Sequence, residues 1–536
     1  MNFESFGHIK IVRPSIESEL FFRQKLEAFV RGNFETKKYV TKNEISSILN
    51  KIVSYLDTEL RENIKQITSR DFIEFILYQY DLSYEINQNL DTLGLEQKER
   101  WRQLGPIFRR AVKYIAELSV LYQHDDIRVL DNGSLEKKLD ICFICAEQIY
   151  IFSAESDTSF HIFPDDTFLE ILPASSKNYI RFSLSKKYED FSKTMLERIS
   201  YDTKHKASCF DLNDIPMYNA SICENFLNSV FQSDLGISYS ECIGCINTVI
   251  DCSIPAQNSF VPFCEKKMII KKLNASYNIA FEKIKLALSA FTISKEKMLE
   301  ENRVCYKPKQ KYRASARAFF ELNWKTGMHY VWSPKMAVES YVTLCRNIVF
   351  GNVPPEWYTD AIKTAIGSLN LFLGKWFEKK VGEKLSELGY RGKLNVKNIG
   401  NGCHEIIVPQ EGVGEIDFLG YSCREKILLI VECKLVKEGF DPVYFRDSIK
   451  EFTVGEKSYA HKFRNKIDWV ISNIEQIRDA IEFDDSFDNG IDIQNIRKVM
   501  ITFAPLFASI FIDDFPCVSL VEFVHDYQEN KVYPYD

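Results

Sequence analysis

The sequence predicts a multidomain α+β protein: largely helical N-terminal and middle regions, then a C-terminal α/β domain with a mixed sheet. Three observations carry this. With 536 residues, 45% of them hydrophobic, the chain is too long for one core, and about three domains are expected. Through most of the first 300 residues apolar side chains recur at helical spacing. After residue 360 the pattern changes to a helix, three strands, a helix and further strands.

Residues 1–125 read as a helical N-terminal region. Ile16 to Val30 and Glu44 to Leu56 keep a helical period, Asp71 to Tyr80 carries an aromatic stripe, and Thr41 with Glu44 has the spacing of a capping box. Residues 126–300 read as mixed, then helical. Asp131, Asn132 and Gly133 mark a turn, and Leu139 to Phe152 and Tyr179 to Leu184 read as strands. On a strand Cys142 and Cys145 would face opposite ways, which is poor geometry for one metal and suits core packing. Cys242 and Cys245 lie on an apolar stripe of a predicted helix, so packing is again the better reading than a zinc site completed by Cys252 and Cys264. That helix, with Glu265 to Leu273 and Asn278 to Phe291, suggests a three-helix unit, read as scaffold rather than DNA reader.

Residues 301–360 form a basic and aromatic connecting section. Arg303, Lys307, Lys309, Lys311, Arg313 and Arg317 precede Phe319, Trp324, Tyr330 and Trp332. Interleaved cations and aromatics suit a nucleic-acid backbone, and equally a solvated edge beside an ordinary core. Asn352, Pro354 and Pro355 lead into the last domain, 361–536. There Ala361 to Leu388 reads as a long helix with a weak point at Gly374, stopped at Gly389. Lys393 to Ile399 with Cys403 to Val408, Gly414 to Ser422 and Lys426 to Leu435 read as three strands. Tyr459 to Ile481 is one amphipathic helix, and Lys498 to Phe503 and Cys517 to Phe523 are further strands.

The chemistry concentrates in Gly414 to Leu435. Its second strand is an almost unbroken apolar run ending in Glu432-Cys433-Lys434, as in a strand covered on both faces. Residues two apart share a face, so Glu432 and Lys434 point together, and Asp417 shares its face with Glu415. If the strands are neighbours, Asp417 and Glu432 approach closely enough to share a divalent cation, at a point where the strands are expected to open to solvent. Hard cations take oxygen ligands, and two carboxylates beside an ammonium suit phosphodiester hydrolysis.

This arrangement resembles the PD-(D/E)XK, or restriction-endonuclease-like, nuclease superfamily. Asp417 matches the first acid, and Glu432 and Lys434 match the Glu-x-Lys. Ile416 stands where the family's proline would be. The resemblance covers about 170 residues and implies an αβββαβ core, a Mg2+ (or Mn2+) cofactor and endonuclease activity. It implies metal ligation by Asp417, Glu432 and the Cys433 backbone carbonyl. It also implies a catalytic, metal-ligating acid on the preceding helix, assigned to Glu378, with Glu383, on the polar face with Lys380 and Lys384, as the fallback. Lys375, Lys379 and Lys380 are expected near substrate phosphates. Lys457, with Lys462 beside it, is the candidate for the basic residue that relatives carry on the following helix. His404 and His461 are given no role.

By analogy with relatives the substrate is expected to be DNA rather than RNA, in restriction or genome defence. A homodimer, and protein partners for the helical N-terminal region, are further partners left open. The net charge of −7 neither advertises nor excludes a polyanionic substrate, because local patches decide phosphate contacts. No secretory signal and no run of about 20 apolar residues is visible, and the 14 cysteines read as reduced thiols, so a soluble cytoplasmic protein without membrane partners is expected. The rival reading is a nucleic-acid-binding or interaction protein with an inactive nuclease fold.

Overall fold

The structure is a computed structural model; it describes residues 2–123, 132–184, 186–211, 214–252, 259–300, 312–324, 327–436, 442–487 and 491–535. It is a mixed α+β protein. The chain divides into two units: Met1–Leu184 with Glu224–Ile366, and Ser185–Cys223 with Gly367–Asp536. The second unit thus recruits a segment that lies within the middle region in sequence. None of the described helices is long and apolar enough to cross a membrane.

The first unit opens with a hairpin, Asn2–Phe6 against Ile9–Arg13, before its helices Ile16–Asn33, Lys42–Ile67, Arg70–Gln88 and Leu95–Leu121. The stretch Leu139 to Phe152, expected as a strand, is the middle of a helix, Asn132–Asp157. The reason is physical. Leu139, Ile141, Cys142, Phe143, Cys145, Ala146, Ile149 and Phe152 are all buried. A helix enclosed on all sides loses its polar face, and with it the 3.6-residue signal that separates it from a buried strand. Cys142 and Cys145 therefore lie one turn apart rather than on opposite faces, and burial pushes both thiols up, as befits packing groups. Of the basic section, Arg303, Lys307, Lys309 and Lys311 lie outside the described residues. Arg313 pairs with Glu117, and Arg317 is fully buried against Glu356, so these two serve the interior.

In the second unit, helix α1 (Lys186–Cys209) precedes α2 (Asp360–Glu387), which runs unbroken through Gly374. Strands β1 (Arg391–Val396), β2 (Ile416–Ser422) and β3 (Ile427–Lys434) follow. Then come helices α3 (Pro442–Thr453), α4 (Tyr459–Ser472) and α5 (Ile474–Ile481), strands β4 (Asn495–Thr502) and β5 (Cys517–Ser519), and helix α6 (Leu520–Asn530). The strands form one sheet in the order β1-β2-β3-β4-β5, antiparallel up to β3 and parallel from β3 to β5.

Three boundaries differ from the sequence reading. The first strand ends at Val396, and Asn398–Ile399 and Ile406–Ile407 pair as a separate two-stranded sheet. Asn473 splits the predicted 459–481 helix, its amide donating to Trp469 O at 2.7 Å. Cys517 to Phe523 is a strand only as far as Ser519, because Ser519 and Glu522 close a capping box that starts α6.

Alternation decides which face meets which helix. Leu419 and Tyr421 of β2 and Leu428 and Ile430 of β3 share a core with Phe463, Ile467, Val470 and Ile477 of α4 and α5. The intervening Phe418, Leu429 and Val431 are also buried, outside that core, so the central strands are covered on both faces. Gly392 and Gly420 face each other across β1 and β2; a Cβ on Gly392 would lie 2.1 Å from Leu419 O, so only glycine permits the strands to approach there. By the same alternation Asp417, Glu432 and Lys434 fall on the α4 face.

Candidate functional site

The register brings the two acids together. β2 and β3 pair as far as Phe418 opposite Val431. One step further along places Asp417 opposite Glu432, and there the ladder stops. Asp417 uses the opening: its Oδ2 accepts the Cys433 backbone N–H at 2.7 Å. The observed contact at Cys433 is made by its N–H; the carbonyl, expected as a metal ligand, is a separate group of the same residue.

Two ammoniums close around the pair. Lys434 Nζ donates to Glu432 Oε1 at 2.7 Å and stands 3.7 Å from Asp417 Oδ2. Lys466, on α4, donates to Glu432 Oε2 at 2.5 Å and stands 3.5 Å from Asp417 Oδ1. The four charges balance. Exposure is 11% for the Asp417 side chain, 4% for Glu432, 8% for Lys466 and 22% for Lys434, so Lys434 is the member that faces solvent most. The acids lie deeper than the open strand ends expected from sequence. Alanine there would strand buried ammoniums without a counter-charge, so amide substitutions are the appropriate probes.

Burial, with Glu432 beside it, raises the Asp417 carboxyl above its ordinary range, against Lys434, Lys466 and the Cys433 N–H. Burial works the same way on Glu432, but the two lysines prevail and hold it below the ordinary value. Lys434 is desolvated, yet Glu432 and Asp417 keep its pKa above the usual lysine value, so it is an ammonium at neutral pH.

Glu378 approaches the cluster from α2, next to the buried Phe377 and Val381. Asn395 anchors it. This residue interrupts β1 opposite Asp417 and adopts a left-handed backbone, φ 53°, one that asparagine tolerates better than most residues. Its amide, nitrogen turned toward both acids, donates to Glu378 Oε2 at 2.9 Å and Glu415 Oε1 at 2.6 Å. Burial, with Asp417 next, pushes Glu378 up to about 7. Glu383 instead pairs with Lys379 and Lys380 on an exposed face. Lys375 and Lys457 are exposed, and among the described residues the ion pairs of Asp417 and Glu432 are with Lys434 and Lys466.

An expected result arises here. A carboxyl whose pKa is higher in the folded state costs stability once charged. That cost grows as pH rises from the ordinary 4.5 to about 7 and is constant above. Without metal, Glu378→Gln therefore melts no lower than wild type at about pH 5 and higher at about pH 8. A pH-independent difference for Glu378→Gln would remove Glu378 from the charged cluster.

Lys466 is the residue the sequence reading passed over in favour of Lys457 and Lys462. The signal was present. It falls three residues after Phe463 and four before Val470, on the stripe read as apolar, where a lysine needs a buried partner.

The donor set suits a hard cation. Asp417 and Glu432 offer carboxylate oxygens side by side, and Glu378 gains from any added positive charge. Among the described residues no group of three or more His, Cys, Asp or Glu is disposed to hold a metal. Two carboxylates completed by water are a donor set that Mg2+ accepts. No protein-family model matches the chain, and neither does any curated protein or solved structure.

Proposed function

We propose that the second unit is a metal-dependent phosphodiesterase of the PD-(D/E)XK kind, an endonuclease acting on DNA, with Mg2+ or Mn2+ held by Asp417 and Glu432. The observation that carries the reading is the end of the β2–β3 ladder, where a fixed register sets two carboxylates opposite each other with Lys434 on the solvent side. The order α2-β1-β2-β3, then helices α3 to α5, then β4 supports the likeness in fold.

A divalent cation bound there supplies charge neutralisation at a phosphate oxygen and a more acidic bound water. The chain's own groups supply the rest. Asp417 is oriented by the Cys433 N–H, and Glu432 by two lysines. Lys434 keeps its proton at neutral pH, so it orients water and stabilises phosphate charge rather than acting as the base. Lys466 occupies the other side of both carboxylates and competes for them with the cation. Glu378, anchored by Asn395, adds negative charge at the rim. Genome defence is the proposed setting, by analogy with nucleases of this kind.

The test is to incubate the purified chain with DNA and RNA duplexes of one sequence and Mg2+. Cation-dependent cleavage of the DNA is expected. Preferential cleavage of RNA would move the substrate class, and cleavage of neither would favour a binding protein with an inactive nuclease fold.

A further inference from the structure

Lys434 is held firmly at its backbone and loosely at its tip. β3 pairs with β4 as far as Lys434 opposite Thr502, and Lys434 O accepts the Phe503 N–H at 3.2 Å. The side chain is a flexible aliphatic stem, and the bond to Glu432 Oε1 at 2.7 Å uses only one of its N–H donors. On another side the ammonium meets an aromatic ring. Lys434 Nζ lies over half-buried Tyr459, 5.2 Å from the ring centroid, within the range of a cation–π contact. The ring is itself fixed. Ser458 caps α4, its Oγ accepting the His461 N–H at 3.3 Å, so Tyr459 is the first residue of the helix. Buried Phe452 meets the ring edge-on, the centroids 4.9 Å apart. The Tyr459 hydroxyl donates to Glu451 Oε1 at 2.8 Å. Burial, then Glu451, pushes the phenol up to about 12, so at neutral pH the ring offers its face and no charge of its own.

We infer that Tyr459 is a positioning residue, whose ring keeps the Lys434 ammonium beside Glu432 and toward the substrate phosphate instead of bulk water. The phosphate in that role rests on the nuclease reading; the contact of ring and ammonium does not. A ring face attracts a cation without taking up a directed hydrogen bond, so N–H groups of Lys434 stay available to a water or a phosphate oxygen.

The test follows DNA cleavage by the full chain with Mg2+. Tyr459→Leu is expected to cut about tenfold more slowly, the scale of one partly desolvated cation–π contact, and Tyr459→Phe to stay within about twofold of wild type. Successive fluorination of the ring in Tyr459→Phe separates charge from packing, because each fluorine weakens the negative ring face and barely changes its size. The rate should fall stepwise with each fluorine, which a merely structural ring would not produce. Equal rates along that series, or a wild-type rate for Tyr459→Leu, would overturn the role. A double-mutant cycle on the metal-free chain needs no activity. In denaturant unfolding, Tyr459→Leu and Lys434→Met should lose less together than the sum of the single losses, and additive losses would overturn the contact. A wild-type chain that cuts nothing would overturn the nuclease reading, and the cycle alone then decides whether Tyr459 holds Lys434.

Discussion

Lys466→Met destabilises the metal-free protein by about 2–3 kcal/mol, the range for losing a hydrogen bond to a buried charge whose second partner, Lys434, remains. For a unit of this size that lowers its melting temperature by roughly 5–10 °C. Methionine fills the aliphatic volume on the α4 stripe, so the loss reports the charge rather than a cavity. The same substitution frees one side of Asp417 and Glu432. Mn2+ should therefore raise the melting temperature of Lys466→Met more than that of wild type, because the cation no longer displaces an ammonium. Equal metal-induced shifts would mean that Lys466 and the cation use different faces of the carboxylates.

Asp417→Asn is expected to lower cation-dependent cleavage by about 10²–10³-fold, the scale of losing one preorganised charge at a reacting centre. Asparagine retains an oxygen for the Cys433 N–H, so the strand ends keep their arrangement and circular dichroism should be unchanged. Glu432→Gln should cost at least as much activity, with lower stability, since two ammoniums then face a neutral amide. Calorimetric titration with Mn2+ separates the causes: Asp417→Asn should lose most of the binding heat. A well-folded Asp417→Asn that cuts at the wild-type rate would place the reaction elsewhere.

The acids were legible in sequence because a strand has a fixed period of two and Glu-x-Lys ends an apolar run. Asp417 needed only the neighbouring strand to be antiparallel and in register. Lys466 was not read because the stripe Phe463, Ile467, Val470 was scored for apolar residues, and the lysine within it was passed over. Asn395 was out of reach: its role depends on a left-handed backbone in β1, which no periodicity reports. The Leu139–Phe152 helix was misread because burial of most of its surface left no polar face. The recruitment of Ser185–Cys223 into the second unit is a long-range packing event, exemplified by Arg198 pairing with Glu522 at 2.5 Å, and local pattern carries no trace of it.

The most direct measurement is cleavage of supercoiled plasmid by the purified wild-type chain, with Mg2+ or Mn2+ and with or without chelator. If Asp417, Glu432, Lys434 and Lys466 form a metal-dependent phosphodiesterase site, nicked and linear products accumulate with either cation and disappear with chelator. Cleavage that survives chelation, or a folded protein that leaves DNA intact with both cations, would contradict it.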